Sequence, residues 1–185
     1  MTDSLIDLLK SNVVEGHGVT NVWAVVNELE KQNKNPATEF TRLFYAPEGK
    51  PWCFYAVVGM RSLVERGSLK KEEARTLLKM TETLVLARRS MEEYYRTISI
   101  LASSRETAPV LVEFVEEKLG EKDQTQWRWL AFFAVGELLQ AQKATIPRAV
   151  VEKLLEEVNK EPEPQRRWYL NEVATTAQRR ALSLP

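Results

Sequence analysis

The chain is expected to adopt an all-α fold of about ten helices, built as stacked antiparallel hairpins in an α-solenoid or as an irregular helical bundle. Three observations carry that expectation. Apolar residues recur at helical spacing along most of the chain, as in Val22, Trp23, Val26 and Leu29, and no stretch alternates cleanly with period two between turn signals. The segment from Thr107 to Trp129 is loosely rewritten 38 to 40 residues further on. At 44% hydrophobic and 28% charged over 185 residues, the composition is that of a globular chain, long enough for one domain with a substantial core.

In the repeat, Thr107-x-Pro109 returns as Thr145-x-Pro147, and Val112-Glu113 as Val151-Glu152. The pair Glu116-Glu117 returns as Glu156-Glu157, and Gln126-x-Arg128-Trp129 as Gln165-x-Arg167-Trp168. A helix–turn–helix unit of this length stacks on its neighbours because it cannot bury its apolar face alone. Thr-x-Pro is read as a helix opening, with threonine as the cap and proline in the first turn, where its missing N–H has no partner to lose.

Taken in order, a first helix is expected over 3–14, ended by Glu15-Gly-His-Gly18, and a second over 20–34. Asn35-Pro36 stops the second and starts a third over 36–46. Ala46-Pro-Glu-Gly-Lys-Pro51 reads as a loop and is the candidate seam between an N-terminal three-helix segment and the C-terminal repeats, within a single domain 1–185. Helices follow over 52–66, 69–89 and 91–104. The last four, over 108–120, 123–143, 146–160 and 164–182, make up the visible repeat. Between Trp127 and Val135 the only polar residue is Arg128, so that helix is expected to lie between neighbours. The matching positions of Trp129 and Trp168, and the apolar stripe around Trp23, mark these rings as core.

The repeat resembles the HEAT/armadillo class of helical repeats, mainly over 106–182. In that class an acid near the inter-helix turn is followed five or six residues later by an arginine, and such pairs form a ladder between units. Asp123 with Arg128, and Glu161 or Glu163 with Arg167, look like that pair. The chain departs from the pattern in having Glu and Pro where the second unit would carry Asp. The resemblance implies a fold and no single function.

Several function classes find no support in the residues. Twenty-six Lys and Arg balance 26 Asp and Glu, so no strongly basic domain announces nucleic acid. No apolar run approaches the ~18 residues of a membrane span, the N-terminus lacks a signal-peptide pattern, and the single Cys53 cannot form an internal disulfide. A cytoplasmic chain without a membrane partner is therefore expected. His17, the only histidine, sits between glycines as a loop residue without metal-ligand spacing. Cys53 lies among Trp52, Phe54 and Tyr55 as a core cysteine without an activating base. No phosphate loop or nucleophile elbow occurs. Hence no catalytic residue, metal or cofactor is expected, and the chain is not read as an enzyme.

What remains is a non-catalytic protein-interaction or scaffold module with a protein partner. The alternative is a nucleic-acid-binding subunit. Residues 69–89 resemble the helix-turn-helix of small excisionase-like proteins, through Leu69, Glu72, Glu73, Ala74, Leu77, Leu78, Met80, Thr81 and Val85, although Lys79 stands where that turn has glycine. The same residues also follow one stripe of an uninterrupted helix. Basic stretches at 88–105 and 164–185 contrast with an acidic 113–123. Arg88, Arg89, Arg96, Arg179 and Arg180 are therefore the candidate contacts to phosphate or to an acidic partner.

Overall fold

The computed structural model describes residues 2–14, 19–88, 91–120 and 125–182. The fold is all-α, with ten helices among the described residues, and the chain divides into two compact units, Met1–Glu93 and Tyr94–Pro185. No described helix is long and apolar enough to cross a membrane.

The first unit contains α1 (Thr2–Ser11), α2 (Val22–Lys31), α3 (Pro36–Tyr45), a 3-10 helix over Pro47–Trp52, α4 (Cys53–Glu65) and α5 (Lys71–Arg88). The first helix stops three residues earlier than expected. Asn12 donates from its side chain to the Leu8 carbonyl at 2.8 Å, closing the C-terminus. The β-branched Val13 and Val14 then form β1 (Val13–Val14), paired antiparallel with β2 (Val19–Thr20), a conformation that suits them better than a last helical turn. Asn21 and Asn35 cap α2 and α3, each accepting a backbone N–H at 3.2 Å, and Pro36 occupies the first turn of α3. The segment 46–51, expected as a loop, is folded into the 3-10 helix inside this unit.

Helices α3 and α4 form the centre, with α2 and α5 against α4 and α1 against α3. Phe40, Leu43, Ala56, Val57 and Met60 are fully buried there. Close approach depends on glycine: a Cβ on Gly59 would lie 2.4 Å from the Phe40 ring. Arg61 in α4 is buried and meets Glu93 at 2.8 Å, so the charge is matched inside the unit.

The segment that resembles a helix-turn-helix is one continuous helix, Lys71–Arg88, and that resemblance is corrected here. With lysine at position 79 nothing favours a left-handed turn, and Met80 and Thr81 stay on the buried stripe with Ala74 and Leu77. The Thr81 hydroxyl donates to the Leu77 carbonyl at 2.8 Å. At its start, Glu73 accepts the Lys70 N–H at 2.8 Å, half of a capping box.

The second unit carries α6 (Glu92–Ala102), whose first two residues belong to the first unit, then α7 (Ala108–Gly120), α8 (Thr125–Ala141), α9 (Arg148–Lys160) and α10 (Pro164–Leu182). Helix α7 packs on α8 and α9 on α10, while α8 also meets α10 and α7 meets α9. Like helix thus touches like across the two hairpins. Helix α8 lies between neighbours as its apolar run requires, with Leu130, Ala131, Phe132, Ala134 and Val135 fully buried.

The two Thr-x-Pro motifs do not act alike. Pro109 sits in the first turn of α7, but the buried Thr107 donates to the Leu101 carbonyl at 2.7 Å, closing α6 rather than capping α7. Pro147 itself is the cap of α9, without a side-chain hydrogen bond, and Thr145 is exposed.

Candidate interaction site

Position 129 of α8 begins a face that continues one turn at a time through Phe133 and Glu137, since residues four apart share a side of a helix. All three are half-buried. Across from them, α6 contributes Tyr95, whose ring meets Phe133 edge-on at 4.8 Å between centroids. From the other side α10 contributes Tyr169, stacked on Trp129 at 5.8 Å with 17° between planes. The Arg166 guanidinium lies 5.8 Å from the Trp129 ring centre and pairs with Glu163 at 2.7 Å. Tyr95 and Tyr169 are each 38% exposed, so the rings form a shelf open to solvent across α6, α8 and α10.

Gly136 lies beside this shelf. A Cβ there would be 4.0 Å from the Tyr169 hydroxyl, in contact without clash. Burial, then the Glu137 charge, then Tyr95, push the Tyr169 phenol above its ordinary value of 10.0, because each disfavours the phenolate. The shelf therefore offers aromatic edges and faces, a neutral phenol, one carboxylate and one guanidinium. Such a mixture is suited to docking apolar side chains with a few polar fixtures.

The sequence-predicted arginines are not all gathered here. Arg89 lies outside the described residues, as does the side chain of Arg88 at the end of α5. Arg96 is exposed on α6, and Arg179 is exposed near the end of α10. Arg180, also exposed, donates from Nη1 to the Leu139 carbonyl, one of the last-turn acceptors of α8 that lack a helical partner.

The arginines compared with a ladder are placed as follows. The Arg128 Nε lies 3.0 Å from Glu157 and its Nη1 3.5 Å from Glu161. Arg167 donates to the main-chain carbonyl of Glu161 at 2.7 Å. Asp123 lies outside the described residues.

Two expectations about aromatics are corrected. Trp168 is 67% exposed and Trp23 is 44% exposed. Trp168 lies in the exposed run 162–169, where the first turns of α10 are open to solvent. Trp23 lies under Arg66 at 4.3 Å, covered by a cation and not by the core. Cys53, expected in the core, is half-buried at the start of α4, its thiol near the Phe44 and Gly49 carbonyls at 3.5 and 3.7 Å. His17 lies outside the described residues, and no group of three or more His, Cys, Asp or Glu able to hold a metal occurs among the described ones.

The shelf itself was not singled out in the sequence. Its signal was there in Trp129 and Phe133 at helical spacing, but the same spacing serves a core face equally well. Compared with protein-family models, with curated proteins and with solved structures, the chain has no match in any of the three.

Proposed function

We propose that the chain is a non-catalytic helical-repeat interaction module that binds a protein segment carrying apolar side chains on the shelf of Tyr95, Phe133, Trp129 and Tyr169. The carrying observation is the solvent-open cluster of four rings on three helices of one unit. Aromatic residues supply large contact area at low conformational cost and are enriched where partners dock. The repeat part of the reading draws support from the rewritten sequence and from the like-to-like packing of α7 with α9 and α8 with α10.

A second reading, binding to a nucleic-acid backbone through a basic helical face, draws on the exposed Arg96, Arg166 and Arg179. Glu137 on the shelf weighs against phosphate there, and Arg180 already serves a carbonyl.

One experiment separates the two. Peptides are selected from a random display library on the chain, and the affinities of the selected peptides are compared with those of generic single- and double-stranded nucleic acids at low and moderate salt. The module reading expects peptides with apolar anchors whose binding changes little with salt and falls at least about tenfold in Phe133→Ser. Steeply salt-dependent nucleic-acid binding, lost in an Arg96→Glu, Arg179→Glu variant, would put the second reading first.

A further inference from the structure

The two ends of the ring shelf differ in charge. At the Trp129 end, ring, cation and acid are all present: Arg166 lies 5.8 Å from the Trp129 ring centre and is itself paired with Glu163 at 2.7 Å. At the other end, roughly 12 Å further along α8, stands Glu137. Rings and acid are present there and a cation is not. Among the described residues Glu137 has no ion pair and no side-chain hydrogen bond.

Glu137 belongs to the ring cluster by position. It lies one turn beyond Phe133 on the same side of α8, and Phe133 meets Tyr95 at 4.8 Å. The Tyr169 hydroxyl is 4.0 Å from where a Cβ would stand on Gly136, the neighbouring residue. Glu137 and Tyr95 are both near enough to Tyr169 to raise its phenol. One carboxylate and two phenols are therefore neighbours across α6, α8 and α10. Glu137 is half-buried, so it has lost part of its hydration with no opposite charge to offset the loss. Elsewhere in the unit such acids are matched: Glu157 and the buried Glu161 meet Arg128 at 3.0 and 3.5 Å.

We propose that the segment docking on this shelf presents an arginine among its apolar side chains, with the guanidinium paired to Glu137 beside the Tyr95 and Tyr169 rings. The inference rests on the shelf reading above and adds the partner's charge to it. A guanidinium is flat, stacks on an aromatic face and gives two parallel N–H groups to a carboxylate. An ammonium is a strongly hydrated point charge and is better served by a closed cage of rings than by an open shelf. Arg166 beside Trp129 is the chain's own instance of a guanidinium at these rings.

The test uses the full chain and peptides selected on it from a random display library. Peptides whose binding falls in Phe133→Ser and in the more exposed Tyr95→Ala are the shelf binders. Among them arginine is expected to recur at one position next to the apolar anchors. Replacing it by citrulline, which keeps the shape and removes the charge, is expected to weaken binding at least about tenfold. In Glu137→Gln the arginine and citrulline peptides are expected to bind within about threefold of each other, a coupling that a general loosening of the shelf would not produce. Shelf binders without a basic residue, or a citrulline penalty undiminished in Glu137→Gln, would overturn the inference and leave the shelf reading standing. Peptides indifferent to both ring variants, or a library that yields none, would overturn both.

Discussion

Arg128 in α8 reaches across to the buried carboxylate of Glu161, thirty-three residues later in the chain, with Nη1 3.5 Å from Oε2. Glu161 is only 2% exposed. Its other carboxylate oxygen accepts the Glu163 N–H at 3.3 Å and its carbonyl accepts from Arg167. One acidic residue thus fixes the turn between α9 and α10 and joins it to the preceding hairpin. Removing the arginine strands a buried charge, which costs more than the pair contributes. Arg128→Ala is expected to destabilise the chain by about 3 kcal/mol, and Arg128→Met with Glu161→Gln to recover more than half of that. Urea unfolding of the three proteins decides it. A loss below about 1 kcal/mol in the single variant would mean that Glu161 is held by its local N–H alone.

Gly59 marks where α4 comes closest to α3. An added Cβ would sit 2.4 to 2.6 Å from three carbons of the Phe40 ring, and Phe40 is itself fully buried. The contact falls on a ring enclosed by the core, so Gly59→Ala is expected to cost about 2–3 kcal/mol despite alanine's better helix propensity. Pairing it with Phe40→Leu should recover part of the loss, and a double-mutant cycle measures that coupling. Additive effects would place the clash elsewhere.

The helices themselves were legible because their signals are local. Asn35-Pro36 and the run from Trp127 to Val135 state where a helix starts and which one is surrounded. Tertiary facts were not legible in the same way. Val13 and Val14 fit a helical stripe as well as a strand, and only pairing with Val19 and Thr20 decides between them. Thr107 and Thr145 stand in the same motif, yet one closes α6 and the other lines a cleft. Trp129 and Trp168 each end a Gln-x-Arg-Trp sequence, but one stacks on Tyr169 and the other faces solvent. Of the five candidate arginines, Arg180 shows the limit best: a basic residue at a helix end reads as a surface charge until the orphan carbonyl it serves is seen.

Gly67 tests a backbone requirement without any packing. Its φ is +67° and nothing lies within 4 Å of where a Cβ would stand. It follows Arg66, the cap of α4, and its N–H returns to the Val64 carbonyl at 2.9 Å. A left-handed residue past a helix end favours glycine first and asparagine next. Gly67→Ala is therefore expected to lower stability by about 1 kcal/mol and Gly67→Asn by less. Thermal unfolding gives the order. Alanine as tolerable as asparagine would show that the turn relaxes to a right-handed conformation.

Tyr169 gives the shelf a titration of its own. Its phenol is raised above 10.0, first by burial and then by the Glu137 charge and Tyr95. A folded value above the unfolded one means that the native state holds this proton more tightly. The stabilisation from that difference is complete below pH 10 and is lost as pH rises through the folded value. Alkaline absorbance titration of the wild type minus Tyr169→Phe isolates this group from the other tyrosines. Glu137→Gln removes a repulsion with the phenolate, so the isolated midpoint is expected to fall, while staying above 10.0 because burial remains. A midpoint unmoved by Glu137→Gln would separate the carboxylate from the rings and take the polar fixture out of the shelf.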